Sequence, residues 1–317
     1  MNSALIFVSF ILVLHDTQAD LTLDRKKLFE TYGYSLHSTM IDLSGQNIED
    51  IWEYTFKRMQ NVISLNLSYN SLFFELNQTE SRNITIFNGL SQLKVLDLSH
   101  NELDEMVLDA YFFQNLGNLR ELNLSNNRLE SLFENVFDSL TELRHLDLSF
   151  NEIHTIDQTH FFHLKKLVSL DLSLNLIEEI SVYFLQSNVK LKRLNLSNNL
   201  LEVIDESTFS MRSSNLIELD LNNNQLISIK ELAFTDLKKL KELDLSYNKL
   251  ESIDAIADLN DLEELNIQSN DITNNFDSNV LANLSKLKRI CFYDNPVKIE
   301  NTKINGSNCT IVFATRC

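Results

Sequence analysis

The sequence predicts an α/β-type repeat solenoid, a curved stack of similar coils with a parallel β-sheet on its concave face and loops or short helical turns on its convex face. Three observations support this fold class. The string L-x-L-x-x-N-x-L recurs along most of the 317 residues, a large apolar residue recurs about halfway through each unit, and the chain has only 1 Pro and 5 Gly. With 44% hydrophobic residues and so few Pro and Gly, the chain is expected to be ordered and to make its turns with other residue types.

The first residues predict a secretory signal peptide, residues 1–19. The apolar run from Leu5 to Leu14 is too short to span a bilayer, and a polar stretch ending at Ala19 follows it. The alternative is an N-terminal core strand. No second long apolar segment follows, so we expect a secreted, extracellular protein without membrane insertion.

Residues 20–38 are expected to form an N-terminal cap, because a terminal coil would otherwise expose its leucines to water. The segment contains no Cys, so packing must hold it in place. The side chains available for this packing are Leu21, Leu23, Leu28, Phe29 and Tyr32.

Eleven repeats are predicted over residues 39–295. In each repeat, L-x-L forms a short strand that buries one face, and the Asn at the next turn bonds the backbone of adjacent coils. Most repeats are 24 residues long, and Gln46 takes the Asn position in the first. This string is the signature of the leucine-rich-repeat family, which the chain resembles from residue 20 onward; the resemblance implies a curved leucine-rich-repeat horseshoe.

A column of large side chains is predicted to fill the core on the convex side, one for each coil. Two units differ in length: the step from Asn70 to Asn101 is 31 residues, and the step from Asn248 to Asn270 is 22 residues. We expect a polar insertion to bulge from the longer unit and the convex arm to shorten in the other. The column consists of Phe56, Phe87, Phe113, Phe137, Phe161, Phe209 and Phe234, with Leu185, Ile256 and Leu281 in other units.

Residues 296–317 are expected to form a C-terminal cap with cysteines. The three cysteines, Cys291, Cys309 and Cys317, allow one internal disulfide and leave one thiol over. We expect Cys291 to pair with a tail cysteine and hold the cap on the last coil. The remaining thiol, for which Cys317 is the first choice, either cross-links to a partner or stays buried or capped.

Eight N-x-S/T sequons agree with an extracellular glycoprotein. Three of them, at Asn66, Asn123 and Asn195, lie inside repeated L-N-L-S strings and so arise from the structural motif. The independent glycosylation candidates are Asn77, Asn83, Asn283, Asn305 and Asn308.

The candidate binding face is the concave side of the sheet. Between the two leucines stand acidic residues, and neighbouring strands about 4.8 Å apart make Asp147 and Asp171, and Asp220 and Asp244, like-charged neighbours. These carboxylates either bind a partner or keep the face soluble. Basic residues at the strand starts are expected to neutralise them: Lys94, Arg120, Arg144, Lys192, Arg193 and Lys241.

A better contact hypothesis lies just past the second leucine. Phe150 and Leu174 are expected to be exposed apolar neighbours, with His145 nearby, and clustered exposed apolar groups suit a binding site. Other residues of this column on the candidate face are Tyr69, His100 and Tyr247.

Catalysis finds no support in the sequence. No nucleophile elbow, zinc-protease motif, phosphate-binding loop or dinucleotide fingerprint occurs, and His154, His160 and His163 are expected to be surface residues. We therefore expect no enzyme activity, no cofactor and no metal site. The net charge of -18 repels nucleic acid and favours basic partners, or serves only to keep the protein soluble.

The cysteine-free front cap, the Phe-rich units and the short Cys-bearing tail resemble the small secreted leucine-rich-repeat immune proteins of mosquitoes. This resemblance implies a non-catalytic innate-immune recognition or scaffold protein that binds an extracellular protein or glycan. The coiled coil of longer members has no counterpart here. The repeats are also similar to Toll-type and chaoptin-like ectodomains, which implies the alternative of a developmental or cell-adhesion ligand.

Overall fold

The computed structural model describes residues 21–73, 86–109, 111–210, 214–273, 278–296 and 310–312. Within these residues, one strand of each coil joins a twelve-stranded parallel sheet, and three pairs of two-residue strands lie outside it. The strands are β1 (Thr22–Leu23), β2 (Met40–Asp42), β3 (Asp50–Ile51), β4 (Ser64–Asn66), β5 (Val95–Asp97), β6 (Glu121–Asn123), β7 (His145–Asp147), β8 (Thr155–Ile156), β9 (Ser169–Asp171), β10 (Glu179–Ile180), β11 (Arg193–Asn195), β12 (Val203–Ile204), β13 (Glu218–Asp220), β14 (Ser228–Ile229), β15 (Glu242–Asp244), β16 (Glu264–Asn266), β17 (Arg289–Cys291) and β18 (Thr310–Val312).

The predicted fold class is confirmed. Each strand of the large sheet pairs in register with the strand of the next coil, so that Leu146, Leu170 and Leu194 stack one above another. These leucines are buried, while the residues on either side of them lie on the open face of the sheet. Successive strands form one sheet because each coil covers the leucines of the coil before it.

A ladder of buried Asn side chains joins the coils. Asn175 is representative: its Nδ2 donates to the carbonyls of Leu148, 3.0 Å away, and Leu172, 3.1 Å away, and its Oδ1 accepts the Ile153 N–H at 3.0 Å. Each ladder Asn thus satisfies backbone groups that have no strand partner at the turn. Gln46 does not repeat this role, because β2 is the edge strand of the large sheet in the described part of the chain; its Nε2 donates to the Ser44 carbonyl instead.

The predicted Phe column is confirmed as core. Phe56, Phe137 and Phe234 have no exposed surface, and neither do the four remaining Phe of the column. Neighbouring rings lie close together, with centroids 6.0 Å apart for Phe113 and Phe137 and 5.8 Å apart for Phe209 and Phe234. Phe184, beside Leu185, also packs against Phe209, so this coil fills the column with two residues.

Apolar packing and hydrogen bonds join the N-terminal segment to the first coils. A short π-helical turn spans Lys27–Thr31, and β1 pairs with β3. Leu23 and Leu28 are fully buried, with Phe29 and Tyr32 packed against the same core. The Tyr34 hydroxyl covers the free edge of β2, because it accepts the Asp42 N–H at 2.8 Å and donates to the Asp42 carbonyl at 2.7 Å.

The C-terminal coils are less regular. The shorter unit carries a 3₁₀-helix at Asp254–Ile256, and an α-helix, α1, spans Ser278–Asn283. Strand β18 continues the large sheet beyond β17. Among the described residues no helix is long and apolar enough to cross a membrane.

Cys291 lies in β17 and is disulfide-bonded. Cys309 and Cys317 lie outside the described residues, so the identity of its partner stays a prediction. Of the glycosylation candidates, Asn283 is exposed at the end of α1. The insertion with Asn77 and Asn83, and the tail with Asn305 and Asn308, also lie outside the described residues.

Candidate functional site

The acidic residues between the leucines have a structural role. Asp147 Oδ1 accepts the Ser149 N–H at 2.9 Å and its hydroxyl at 2.7 Å, and Asp171 and Asp244 bond Ser173 and Ser246 in the same way. The carboxylate therefore closes the turn that ends its own strand. Asp or Asn at this position is explained by the repeat itself.

The expected neutralisation of these carboxylates by strand-start cations is wrong. In the described part of the chain, no ion pair joins Asp147, Asp171, Asp220 or Asp244 to a Lys or Arg. The second oxygen finds a neutral donor where the next coil has Asn. Asn195 Nδ2 donates to Asp171 Oδ2 at 3.2 Å, and Asn266 Nδ2 donates to Asp244 Oδ2 at 2.8 Å.

The pKa of Asp220 reflects burial and the electrostatic repulsion within the Asp column. Burial raises the pKa of Asp220, and the neighbouring Asp244 raises it further, although hydrogen bonds from Asn222 oppose the shift. Where the next coil has Asn, as at Asn195 and Asn266, its amide donates to the carboxylate instead of repelling it. Asp220 and Asp244, side by side in β13 and β15, lack that relief between them, as do Asp147 and Asp171 in β7 and β9.

A second acidic column was missed in the sequence. Glu218, Glu242 and Glu264 open the consecutive strands β13, β15 and β16 and face the same concave side. Burial raises the pKa of Glu242, followed by repulsion from Glu218 and Glu264. Three successive E-L-D or E-L-N strings were the available signal. Together the two columns line an open, acidic concavity of about 560 Å³, with Arg193 and Arg289 at its ends.

The residue just before each ladder Asn has a left-handed backbone. Its N–H donates to the carbonyl two residues past the last strand residue of the next coil; the Phe150 N–H, for instance, bonds the Ser173 carbonyl at 3.0 Å. Positive φ favours Gly and Asn and costs other residues energy. The ten residues, with φ from 50° to 59°, are Tyr69, His100, Asn126, Phe150, Leu174, Asn198, Asn223, Tyr247, Ser269 and Asp294.

Phe150 and Leu174 are exposed neighbours in this column, as predicted. Phe150 is 51% exposed and Leu174 38% exposed, although both are apolar and both occupy left-handed positions. His145, at the start of β7, is half-buried. We call Phe150 and Leu174 the apolar patch. The repeat itself does not require these residues, because Asn198 and Asn223 hold the same position in the next two coils.

Aromatic residues occupy two more places in the left-handed column. Tyr69 stacks on His100 with ring centroids 4.0 Å apart, and Tyr69 is 63% exposed. Tyr247 is 53% exposed further along. The column thus presents Tyr69 and His100 on one side of the apolar patch and Tyr247 on the other.

The three clustered histidines differ in burial. His154 and His163 are exposed as expected, but His160 is buried. Its Nδ1 accepts the Asp157 N–H at 3.1 Å, and burial lowers its pKa. The described residues contain no group of three or more His, Cys, Asp or Glu that could hold a metal ion.

Comparisons with known proteins agree with this geometry. The family model described as "Leucine rich repeat" matches residues 105–153, 142–201 and 214–272, and a second leucine-rich-repeat model matches residues 92–116. Osteomodulin of Bos taurus is 31% identical over 112 residues, and Tsukushi of Gallus gallus is 34% identical over 106 residues. These matches cover 30% and 33% of this chain, and they span about a quarter (26%) of each relative.

Among solved structures, the chain is similar to one described as the Toll–Spätzle complex, a molecular hub in Drosophila development and innate immunity. The TM-score is 0.72 at 22% identity, over 83% of this chain and 34% of the other. At this identity the similarity shows the shared fold.

Proposed function

Because the chain is a leucine-rich-repeat protein, we propose that it is a secreted, non-catalytic protein that binds a partner protein in extracellular fluid through the apolar patch. The single observation that carries the proposal is the exposure of Phe150 and Leu174 in left-handed backbone positions. The extracellular relatives agree with a binding role, and the solved structure similar to this chain is itself described as a complex.

The free-energy cost of the left-handed backbone at Phe150 and Leu174 supports a role in partner binding. A left-handed conformation costs a residue with a side chain roughly 1–2 kcal/mol, and Asn bears it more easily than Phe or Leu. An exposed ring gains little from burial within the free protein. A partner that covers both side chains would bury their apolar surface and gain about 25 cal/mol of binding free energy per Å². Partner binding therefore explains why these residues are present, whereas the stability of the free protein does not.

The proposed absence of catalysis is supported by the openness of the concave face. Its carboxylates lie on an open surface, whereas a glycosidase pair needs an enclosed substrate between two carboxyl groups. The Oδ1 atoms of Asp147, Asp171 and Asp244 are already used by their own turns.

The wider role we propose is innate-immune recognition or scaffolding. The alternative is a developmental or cell-adhesion ligand, and the Toll–Spätzle structure is described with both development and immunity. Transcript levels separate the two. Induction by infection supports the immune role, and expression confined to a tissue or stage supports adhesion.

The binding function is tested by capture from the extracellular fluid of the source organism. The double variant Phe150→Asn and Leu174→Asn gives both positions the residue that Asn198 and Asn223 already supply, so we expect it to fold without loss of stability. We expect it to lose capture of proteins that the unaltered chain retains. Capture is analysed with and without reduction, so that a partner linked through the odd cysteine is recognised.

A matched control removes the same residue types elsewhere. Phe133 is 49% exposed and Leu232 54% exposed, both outside the apolar patch. The variant Phe133→Asn and Leu232→Asn is expected to capture as the unaltered chain does. Equal capture by both double variants and the unaltered chain would move the binding site away from the patch.

A further inference from the structure

A column of cations runs along the amino-terminal ends of the strands. Lys94, Arg120 and Arg144 hold the same place in three consecutive coils, two residues before the first leucine. Their backbones are joined directly: the Arg120 N–H bonds the Lys94 carbonyl at 2.8 Å, and the Arg144 N–H bonds the Arg120 carbonyl at 2.8 Å. Neighbouring coils are about 4.8 Å apart, so the three charges form a regular row. We call these three residues the cationic row.

Among the described residues the cationic row forms no close ion pair, although Glu142, which bonds Lys166, interacts electrostatically with Arg120 and Arg144. In the ranges that the structure describes, no carboxylate forms an ion pair with Lys94, Arg120 or Arg144. Further along the same column the situation is different. Lys241 and Lys288 both pair with Glu263, which lies between them, and this holds the pKa of Glu263 down at about 2.

The row is not required by the fold. Ile63, Val168 and Ile217 occupy the same place in other coils, so the repeat accepts an apolar residue there. Like charges on neighbouring strands are destabilising. Arg120 and Arg144 are exposed and Lys94 is half-buried, which leaves their charged groups open to a ligand.

Two carboxylates lie close to the row: Glu121 follows Arg120 in the sequence, and Glu142 interacts electrostatically with Arg120 and Arg144. The row nevertheless places three cations in consecutive coils, so the net charge of -18 does not describe the local charge there. At physiological salt the screening length is about 8 Å, so a ligand at the row responds to the nearby cations more than to distant carboxylates.

We propose that the cationic row binds a sulfated polysaccharide. Such a polymer carries anions at regular intervals, as the row carries cations, and guanidinium groups hold tetrahedral oxyanions with two parallel hydrogen bonds. The row is open and extended, which suits a polymer better than a single small anion. Lys190, Lys192 and Arg193 continue the positive charge two coils on. This surface is distinct from the apolar patch, and the proposal does not depend on the protein-binding function.

The test measures the affinity of the purified chain for heparin at about 0.15 M salt. The row variant is Lys94→Gln, Arg120→Gln and Arg144→Gln. The control, Lys26→Gln, Arg128→Gln and Lys249→Gln, makes the same change in net charge at exposed cations outside the row. Chemically desulfated heparin is the control ligand, and circular dichroism verifies that both variants are folded.

We expect the unaltered chain to bind heparin and the row variant to bind at least about tenfold more weakly, since the variant loses three charged contacts at once. The control variant is expected to lose less than about threefold, and desulfated heparin to bind neither protein. Three results overturn the proposal: no heparin binding by the unaltered chain, equal losses in both variants, or equal binding of desulfated heparin. The double variant of the apolar patch should bind heparin normally, so this test and the capture test fail independently.

Discussion

At the scale of single residues, the left-handed position of the repeat carries a residue suited to the backbone in some coils and a residue suited to partner binding in others. Asn198 and Asn223 meet the backbone requirement of the left-handed position at low cost. Phe150 and Leu174 meet the same requirement at higher cost and place apolar surface in water. The difference between coils, rather than the repeat itself, identifies the candidate site.

The Asn ladder provides a test of the structural residues. Asn199→Asp would replace the two-bond donor of Asn199, which serves the Leu172 and Leu196 carbonyls, with a buried carboxylate. We expect it to lower the free energy of unfolding by roughly 3 kcal/mol, because two buried carbonyls lose their partner. Asn198→Asp adds the same charge one residue earlier, at a half-buried turn position where the carboxylate can still accept from Asn223 Nδ2, and should cost far less stability. Urea unfolding measures both, and equal losses would contradict the ladder's role.

The buried His160 predicts a dependence of stability on pH. Burial lowers its pKa below the ordinary value of 6.5, so the unfolded chain takes up a proton more readily than the folded one. Stability from this group is therefore complete above about pH 6.5 and declines as the pH falls toward the folded pKa. The charged groups nearest to it are Asp157 and Glu134, which oppose the shift.

His160→Gln should remove this decline, so that the variant loses less stability than the unaltered chain between about pH 7 and about pH 5. His163→Gln changes an exposed histidine three residues further along the same coil and should leave the decline in place. Thermal or urea unfolding at both pH values measures the difference. A decline of the same size in the His160 variant would show that other groups cause it.

The sequence predicts residues well where the repeat imposes one residue type. The ladder Asn and the Phe column follow from position alone, and the structure confirms them. The sequence fails where several groups compete for one side chain, or where packing decides whether a side chain is buried. The basic residues at the strand starts were assigned to the Asp column, but the turn donors are closer to those carboxylates, and the burial of His160 depends on the packing of its loop.

At the scale of elements, the free edge of β2 needs protection because an unpaired strand is a template for association. Tyr34 provides it through both hydrogen bonds to Asp42. Tyr34→Phe keeps the ring and removes the hydroxyl. We expect the Asp42 amide to exchange its hydrogen faster, with a loss of about 0.5–1.5 kcal/mol in stability.

Amide hydrogen exchange at Asp42 measures this effect, and sedimentation shows whether the open edge also promotes dimers. Tyr32→Phe is the matched control, since Tyr32 packs against the same core and makes no bond to the strand. An unchanged exchange rate in the Tyr34 variant would mean that the hydroxyl does not protect the edge.

A strand or helix could be predicted from the sequence where its residue pattern recurs in many coils. The eleven L-x-L strands recur often enough to be read from the sequence. The convex pairs, such as β8 with β10 and β12 with β14, contain two residues each and give no periodic signal. The 3₁₀-helix at Asp254–Ile256 lies in the arm that the shorter unit was expected to alter.

At the scale of the whole molecule, the solenoid separates three surfaces. The concave face carries the two acidic columns, the amino-terminal ends of the strands carry the cationic row, and the turns after the strands carry the apolar patch. A long curved sheet of about 4.8 Å per strand presents these surfaces side by side over tens of ångströms. Such an arrangement suits a large partner, or two partners at once, better than a metabolite.

The central claim is that a partner protein covers the apolar patch, and hydroxyl-radical footprinting of the captured complex tests it most directly. The method reports the exposure of individual aromatic side chains. We predict that Phe150 becomes protected in the complex, while Phe133 and Trp52, which are 49% and 64% exposed in the free protein, react as before. Unchanged reactivity of Phe150, with protection elsewhere, would contradict the claim and assign the binding site to another face.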